Sequence, residues 1–122
     1  MILNHVSVGV KNIESAVNFY DAVFETLSIN RTHLIEGVAA AYGTNFEFWV
    51  GLPSEGYASN GNGTHIAFNA CNQEAVDNFY AIAVKLGAIC EGKPGLRPDY
   101  GESYYAAFVR DLDGNKIEAV SM

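Results

Sequence analysis

The chain is poor in cysteine and in positive charge, and it has no long apolar run. Cys71 and Cys90 are too few for a disulfide framework, and without CxxC spacing they suggest neither a zinc ribbon nor a redox pair. Cys71 stands just before a helix pattern, yet no histidine near it in sequence makes it a nucleophile. Seven Lys and Arg against fourteen Asp and Glu leave a formal charge of −7. That balance repels a phosphate backbone and no basic cluster offsets it, so no nucleic-acid partner is expected. No apolar stretch approaches the roughly 20 residues that span a bilayer, and polar Asn4-His5 comes almost at once, so neither a membrane span nor a leader is expected. A hydrophobic fraction of 49% with 17% charged residues excludes a disordered chain. At 122 residues the expectation is one cytoplasmic globular domain over residues 1–122.

What the sequence does contain is a repeat. A shift of 60 residues places His5 on His65, Asn12 on Asn72, Glu14 on Glu74, and Asn18-Phe19-Tyr20 on Asn78-Phe79-Tyr80. Apolar character matches between these identities: Val6 with Ile66, Val8 with Phe68, Ala16 with Val76. The chain reads as two copies of one supersecondary unit.

Each copy opens with strand alternation and switches to helical spacing. Ile2, Asn4, Val6, Val8 and Val10 share one strand face, with Leu3, His5, Ser7 and Gly9 on the other. Asn12 is a candidate N-cap, and Ile13, Ala16, Val17, Tyr20, Val23, Phe24 and Leu27 form a buried stripe. The second copy repeats this with Thr64–Ala70, an Asn72 cap, a stripe of Val76, Phe79, Ala83 and Leu86, and a Gly87 stop. Three further strands are expected in each half: Ile29–Ile35, Val38–Tyr42 and Phe46–Gly51, then Ala88–Glu91, Tyr104–Arg110 and Lys116–Ser121. The last two join through Asp111-Leu112-Asp113-Gly114-Asn115, a hairpin signal. Residues 52–63 read as a linker between modules at about 1–51 and 64–122, and Gly92–Ser103 as an irregular loop. The unit is βαβββ, used twice, an α+β fold.

His5 and His65 occupy equivalent places, with small neighbours on their strand face: Ser7 and Gly9, Ala67 and Asn69. Each copy's last strand carries one carboxylate among apolar residues, Glu47 within Phe46–Val50 and Glu118 within Ile117–Val120. A buried carboxylate needs a partner. Taken singly, a strand histidine is usually structural and an edge glutamate usually faces water. As a repeated set, two neutral imidazoles and two carboxylates balance one divalent cation, and mixed N/O ligation suits Ni, Co, Zn, Fe or Mn. His33 has no counterpart and reads as solvated or structural. Tyr104, Tyr105 and Trp49 read as sheet packing, with Trp49 also kept as a substrate-binding candidate beside Arg97, Asp99 and Tyr100. Gly92–Pro98 lacks the strand-to-helix context of a phosphate loop.

At these residues the chain resembles the glyoxalase/bleomycin-resistance/dioxygenase, or vicinal oxygen chelate, superfamily. The resemblance rests on Asn4–Val8, Asn18-Phe19-Tyr20, Gly63–Ala67 and Asp111–Glu118. It implies paired βαβββ modules forming a curved mixed sheet around a metal held at His5, Glu47, His65 and Glu118, a set similar to that of glyoxalase I. Extradiol dioxygenases and fosfomycin-resistance transferases use only two His and the final Glu. The resemblance further implies metal-dependent lyase or isomerase chemistry on a small substrate with vicinal oxygens, such as a glutathione hemithioacetal. Glu118 or Glu47 would act as catalytic base on a developing enediolate. The seven cations form no evident glutathione clamp. A metal-free protein sequestering a small molecule or drug, as in bleomycin resistance, is the alternative, and a dioxygenase a weaker one. His5, His65 and Glu118 are expected to meet in one cavity, with Glu47 completing or facing it. Relatives form C₂ dimers. A homodimer is therefore also expected, and if modules pair across chains, His5 and Glu47 of one protomer would meet His65 and Glu118 of the other.

Overall fold

The computed structural model describes residues 2–122. The first module runs β1 (Val6–Gly9), α1 (Ile13–Glu25), β2 (Arg31–Ile35), β3 (Ala39–Tyr42) and β4 (Phe48–Gly51). The second runs β5 (His65–Asn69), α2 (Gln73–Lys85), β6 (Ile89–Leu96), β7 (Tyr105–Arg110) and β8 (Lys116–Ser121). Their sheets have equivalent strand orders, β1-β4-β3-β2 and β5-β8-β7-β6. In each, the first strand lies parallel to the last and the other pairs are antiparallel. A parallel pair needs a crossover, which each helix supplies. The fold is the α+β architecture of two βαβββ modules.

The helices start where side chains can satisfy free backbone donors. Asn12 and Asn72 each accept an N–H three residues on, from Ser15 and Ala75, at 2.8 Å. Each such cap stabilises its helix by about 1 kcal/mol. Gly87 ends α2 with φ +109, and the Ala88 N–H returns to the Ala83 carbonyl at 2.9 Å. In α1 the matching bond, Ile29 N–H to Phe24 carbonyl at 3.0 Å, closes around Ser28 at φ +58. A non-glycine residue there is strained.

One apolar core joins the modules. It takes the buried faces of both helices together with Phe48 and Val50 of β4 and Ile117 and Ala119 of β8. The Phe68 ring meets Phe24 and Phe48 with centroids 4.8 and 5.0 Å away. The β7–β8 turn adds a polar joint. Asp111, 4% exposed, accepts from Tyr20 Oη at 2.6 Å, from Asn115 Nδ2 at 3.0 Å, and from the Asp113 and Asn115 amides at 2.9 Å. Asn115 Nδ2 also donates to the Gly9 carbonyl at 3.0 Å, and the Lys11 amide to Asp113 at 2.9 Å. The hairpin turn thus ties the second module to the first, a role its turn chemistry alone does not reveal.

Several strand boundaries differ from the sequence expectation, and three of them bear on the site. β1 starts at Val6 rather than Ile2, because the Val6 N–H to Glu47 carbonyl bond, 2.9 Å, is the first rung and Ile2 is wholly exposed. β4 starts at Phe48, so Phe46 and Glu47 lie in the approach to the strand. β6 continues through Gly92–Leu96, where two register irregularities keep it paired with β7. The sequence reading makes those residues loop.

Candidate functional site

The common core takes one face of each sheet, and the opposite faces point away from it. Period-2 alternation puts His65, Ala67 and Glu118 on the open face of the second sheet. In register, Ala67 and Phe108 flank Glu118. Ala67 is too small to fill the space beside the carboxylate. Glu118 is 1% exposed, and His65 reaches it from the start of β5, with Nε2 3.1 Å from Oε1. The other carboxylate oxygen accepts the Tyr104 hydroxyl at 2.5 Å. That bond to the carboxylate, ahead of burial, pushes the Tyr104 phenol up to about 12.

These side chains open into a cavity of about 570 Å³, also lined by Arg97, Asp99, Tyr100 and Lys116. Tyr100 meets Tyr104 edge-on, centroids 5.4 Å apart. The loop residues singled out in the sequence therefore share a cavity with His65 and Glu118. Tyr104 and Lys116, read there as packing or not at all, line it too. Alternation in β8 carries the signal for Lys116, which sits two residues before Glu118 and so on the same face.

The other two expected ligands lie elsewhere. His5, just ahead of β1, lines a separate cavity of about 610 Å³ with Ser7, Gly9, Trp49, Gly51 and Tyr57. Its Nδ1 lies 2.7 Å from Asn4 Oδ1, and its ring meets Phe46 at 6.0 Å. His33 stacks on Trp49, centroids 5.9 Å apart and planes 26° from parallel, so it belongs to an aromatic patch on this face.

Glu47 departs from expectation. It lines a third cavity, with Thr32, Tyr42 and Asn69, and its carboxylate turns back on its own loop to accept the Asn45 amide at 2.8 Å. That amide, followed by Glu47's own, holds the acid below the ordinary glutamate range. The strand register explains the difference. Opposite Ala67 stands Glu118, whereas opposite the equivalent Ser7 stands Trp49. Glu47 corresponds to Lys116, because the extra residues of β6 and the following loop displace the repeat in the last strand. The equivalence of Glu47 and Glu118 is therefore corrected: an indole takes the first module's carboxylate position.

The His65–Glu118 pair fits two ligands of one cation. Donors bonded to one ion at about 2.0–2.2 Å lie about 3.0–3.5 Å apart, and one imidazole with one carboxylate suits a borderline divalent metal. Among the described residues no group of three or more His, Cys, Asp or Glu converges. No helix among the described residues is long and apolar enough to cross a membrane.

Comparison with known proteins agrees with this architecture. A crystal structure of a glyoxalase/bleomycin resistance protein from Albidiferax ferrireducens T118 superposes with TM-score 0.87 at 34% identity, covering 100% of this chain and 99% of that one. Lactoylglutathione lyase from Agrobacterium tumefaciens shares the fold at TM-score 0.67 and 18% identity, over 99% and 92% of the two chains. Metallothiol transferase FosB from Shouchella clausii is 31% identical over 121 residues, 95% of this chain and 77% of its own length. A family profile matches residues 2–119, and the chain belongs to the Glyoxalase/Bleomycin resistance protein/Dioxygenase superfamily.

Proposed function

We propose that the chain is a metal-dependent enzyme acting on a small substrate with adjacent oxygens, using His65 and Glu118 of one protomer with His5 of a second copy in a homodimer. The observation that carries this reading is Glu118, a carboxylate 1% exposed yet open through His65 to a cavity. A purely structural acid so deeply buried gains nothing from facing a space large enough for a ligand. His5 and this pair line separate cavities, which favours a second chain as the source of His5. A divalent metal held there would supply Lewis acidity to two neighbouring substrate oxygens.

The chain's own groups do the rest. Glu118 Oε1 is the candidate base for a carbon-bound proton, while Tyr104 holds Oε2 and fixes the plane of the carboxylate. Tyr100, Asp99 and Arg97 form the substrate wall on one side. Trp49, brought with His5 by the second copy, forms the other.

Chemistry of lyase or isomerase type follows from the base. A second reading is favoured by Trp49 itself. With an indole where glyoxalase I has its first carboxylate, the set of two His and one Glu resembles that of the thiol transferases, and transfer of a thiol to a small electrophile becomes the competing assignment. Metal analysis of protein purified without chelator, followed by assays with methylglyoxal plus glutathione and with thiols plus small epoxides, tests both. Stoichiometric metal that is lost in His65→Ala and Glu118→Gln supports the proposal. Protein that binds none of Ni, Zn, Co, Fe or Mn refutes it and returns the metal-free sequestering alternative.

A further inference from the structure

The chain has seven cationic side chains, and two of its arginines are engaged by carboxylates: Arg31 by Asp21 at 2.8 Å and Arg110 by Glu91 at 3.6 Å. Arg97 and Lys116 have no carboxylate partner among the described residues, and both line the His65–Glu118 cavity. Both also stand over the Phe108 ring, with Arg97 Cζ 5.6 Å and Lys116 Nζ 5.3 Å from its centroid. Phe108 lies directly opposite Glu118 in the β7–β8 register, so the ring that both cations share neighbours the buried carboxylate in the same cavity.

The seat for Arg97 is built into β6. Gly92 faces Phe108 in register, and a Cβ there would lie 3.1 Å from Phe108 Cδ1 and 3.2 Å from Arg97 Nη2. A Cβ on Gly95 would lie 3.1 Å from Nη1. Two missing side chains thus make room for one guanidinium. The Lys93 carbonyl anchors Nη2 at 2.6 Å and the Leu96 carbonyl accepts from Nη1 at 3.4 Å. A guanidinium has five N–H donors in a rigid fork, and the others have no protein acceptor among the described residues. In a chain of charge −7, the long-range field does not attract anions, so an anion must be won locally. Two acids also line this cavity: Glu91, engaged by Arg110, and the exposed Asp99.

We propose that Arg97 and Lys116 form an oxyanion subsite that holds a carboxylate or phosphate-type group of the substrate beside Glu118. The assignment rests on the reading of this cavity as the reactive one, and it narrows the substrate class to anions. The ring of Phe108 keeps both cations poised without neutralising them, as a carboxylate would. Charge-assisted contacts from two fixed donors then meet the incoming group with little side-chain ordering left to make.

The test titrates the full chain with inorganic phosphate and, separately, with acetate, following backbone amide shifts. Saturable shifts centred on β6 and the start of β8 are expected, and the tighter of the two anions identifies the group. Arg97→Gln and Lys116→Gln should each weaken binding about tenfold, whereas Arg97→Lys, which keeps the charge, should lose less. Lys85→Gln, the same charge change on α2, should leave affinity within about twofold. His65→Ala should abolish metal binding yet keep phosphate affinity, which separates failure of the metal reading from failure of this one. Equal loss in Lys85→Gln, or wild-type affinity in both Arg97→Gln and Lys116→Gln, overturns the subsite.

Discussion

Replacing Tyr20 with Phe removes one hydroxyl from the joint between the modules and leaves the ring packing intact. The hydroxyl donates to Asp111 Oδ2 at 2.6 Å, one of four donors to a carboxylate only 4% exposed. A hydrogen bond to a buried charged group contributes about 1.5–3 kcal/mol, so a loss of about 2 kcal/mol is expected. With an unfolding entropy of about 2.1 cal/mol/K per residue, that lowers Tm by about 8 °C for a chain of this length. Tyr42→Phe is the matched control: its hydroxyl donates at 2.8 Å to Asp21, whose side chain is 41% exposed, and its loss should be under about 1 kcal/mol. Urea and thermal unfolding of the three proteins at pH 7 measure both. The pH dependence adds a second check. Burial first, and then the Asp111 charge, raise the Tyr20 phenol well above 10, so its neutral form is favoured in the folded state. That contribution is complete below pH 10 and is lost as the unfolded chain ionises above it, by about 1.4 kcal/mol per pH unit. The advantage of wild type over Tyr20→Phe should therefore vanish between pH 11 and 12, an estimate of about 1.5 units above 10. If Tyr20→Phe costs no more than Tyr42→Phe, the joint does not couple the modules as argued.

Ser28→Gly relieves a left-handed residue at φ +58 and should stabilise the chain by about 0.5–1 kcal/mol in urea unfolding; a decrease would show that the strain argument fails there. Glu118→Gln should weaken divalent metal binding more than about 100-fold in isothermal titration, while Glu47→Gln should change it less than about twofold, since Glu47 bonds its own loop. Comparable losses in the two variants would restore a four-ligand site. Mixing His5→Ala with His65→Ala chains should recover about a quarter of wild-type metal content, because statistical exchange makes half the dimers mixed and each mixed dimer holds one intact site. No recovery after confirmed subunit exchange would place each site within one chain.

The repeat makes much of this protein legible in its sequence. Identities at fixed spacing, two Asn caps and apolar stripes report local preferences, and local preferences survive wherever the tertiary structure agrees with them. They place both helices, the order of elements along each module, His65 and Glu118. Strand ends were less legible, because an edge rung exists only where a partner strand supplies it; apolar Ile2 and Leu3 have none, and the glycines of β6 do. Glu47 misled for a related reason. Sequence spacing counts residues, whereas equivalence in a sheet is decided by register, and the longer β6 segment moves the last strand of one module relative to the other. Only the folded chain could decide that Trp49 stands where Glu118 has its counterpart, or that Tyr104, Arg97 and Lys116 gather around one carboxylate. Those residues come from separate strands and loops, and it is the pairing of β5, β6, β7 and β8 that brings them together.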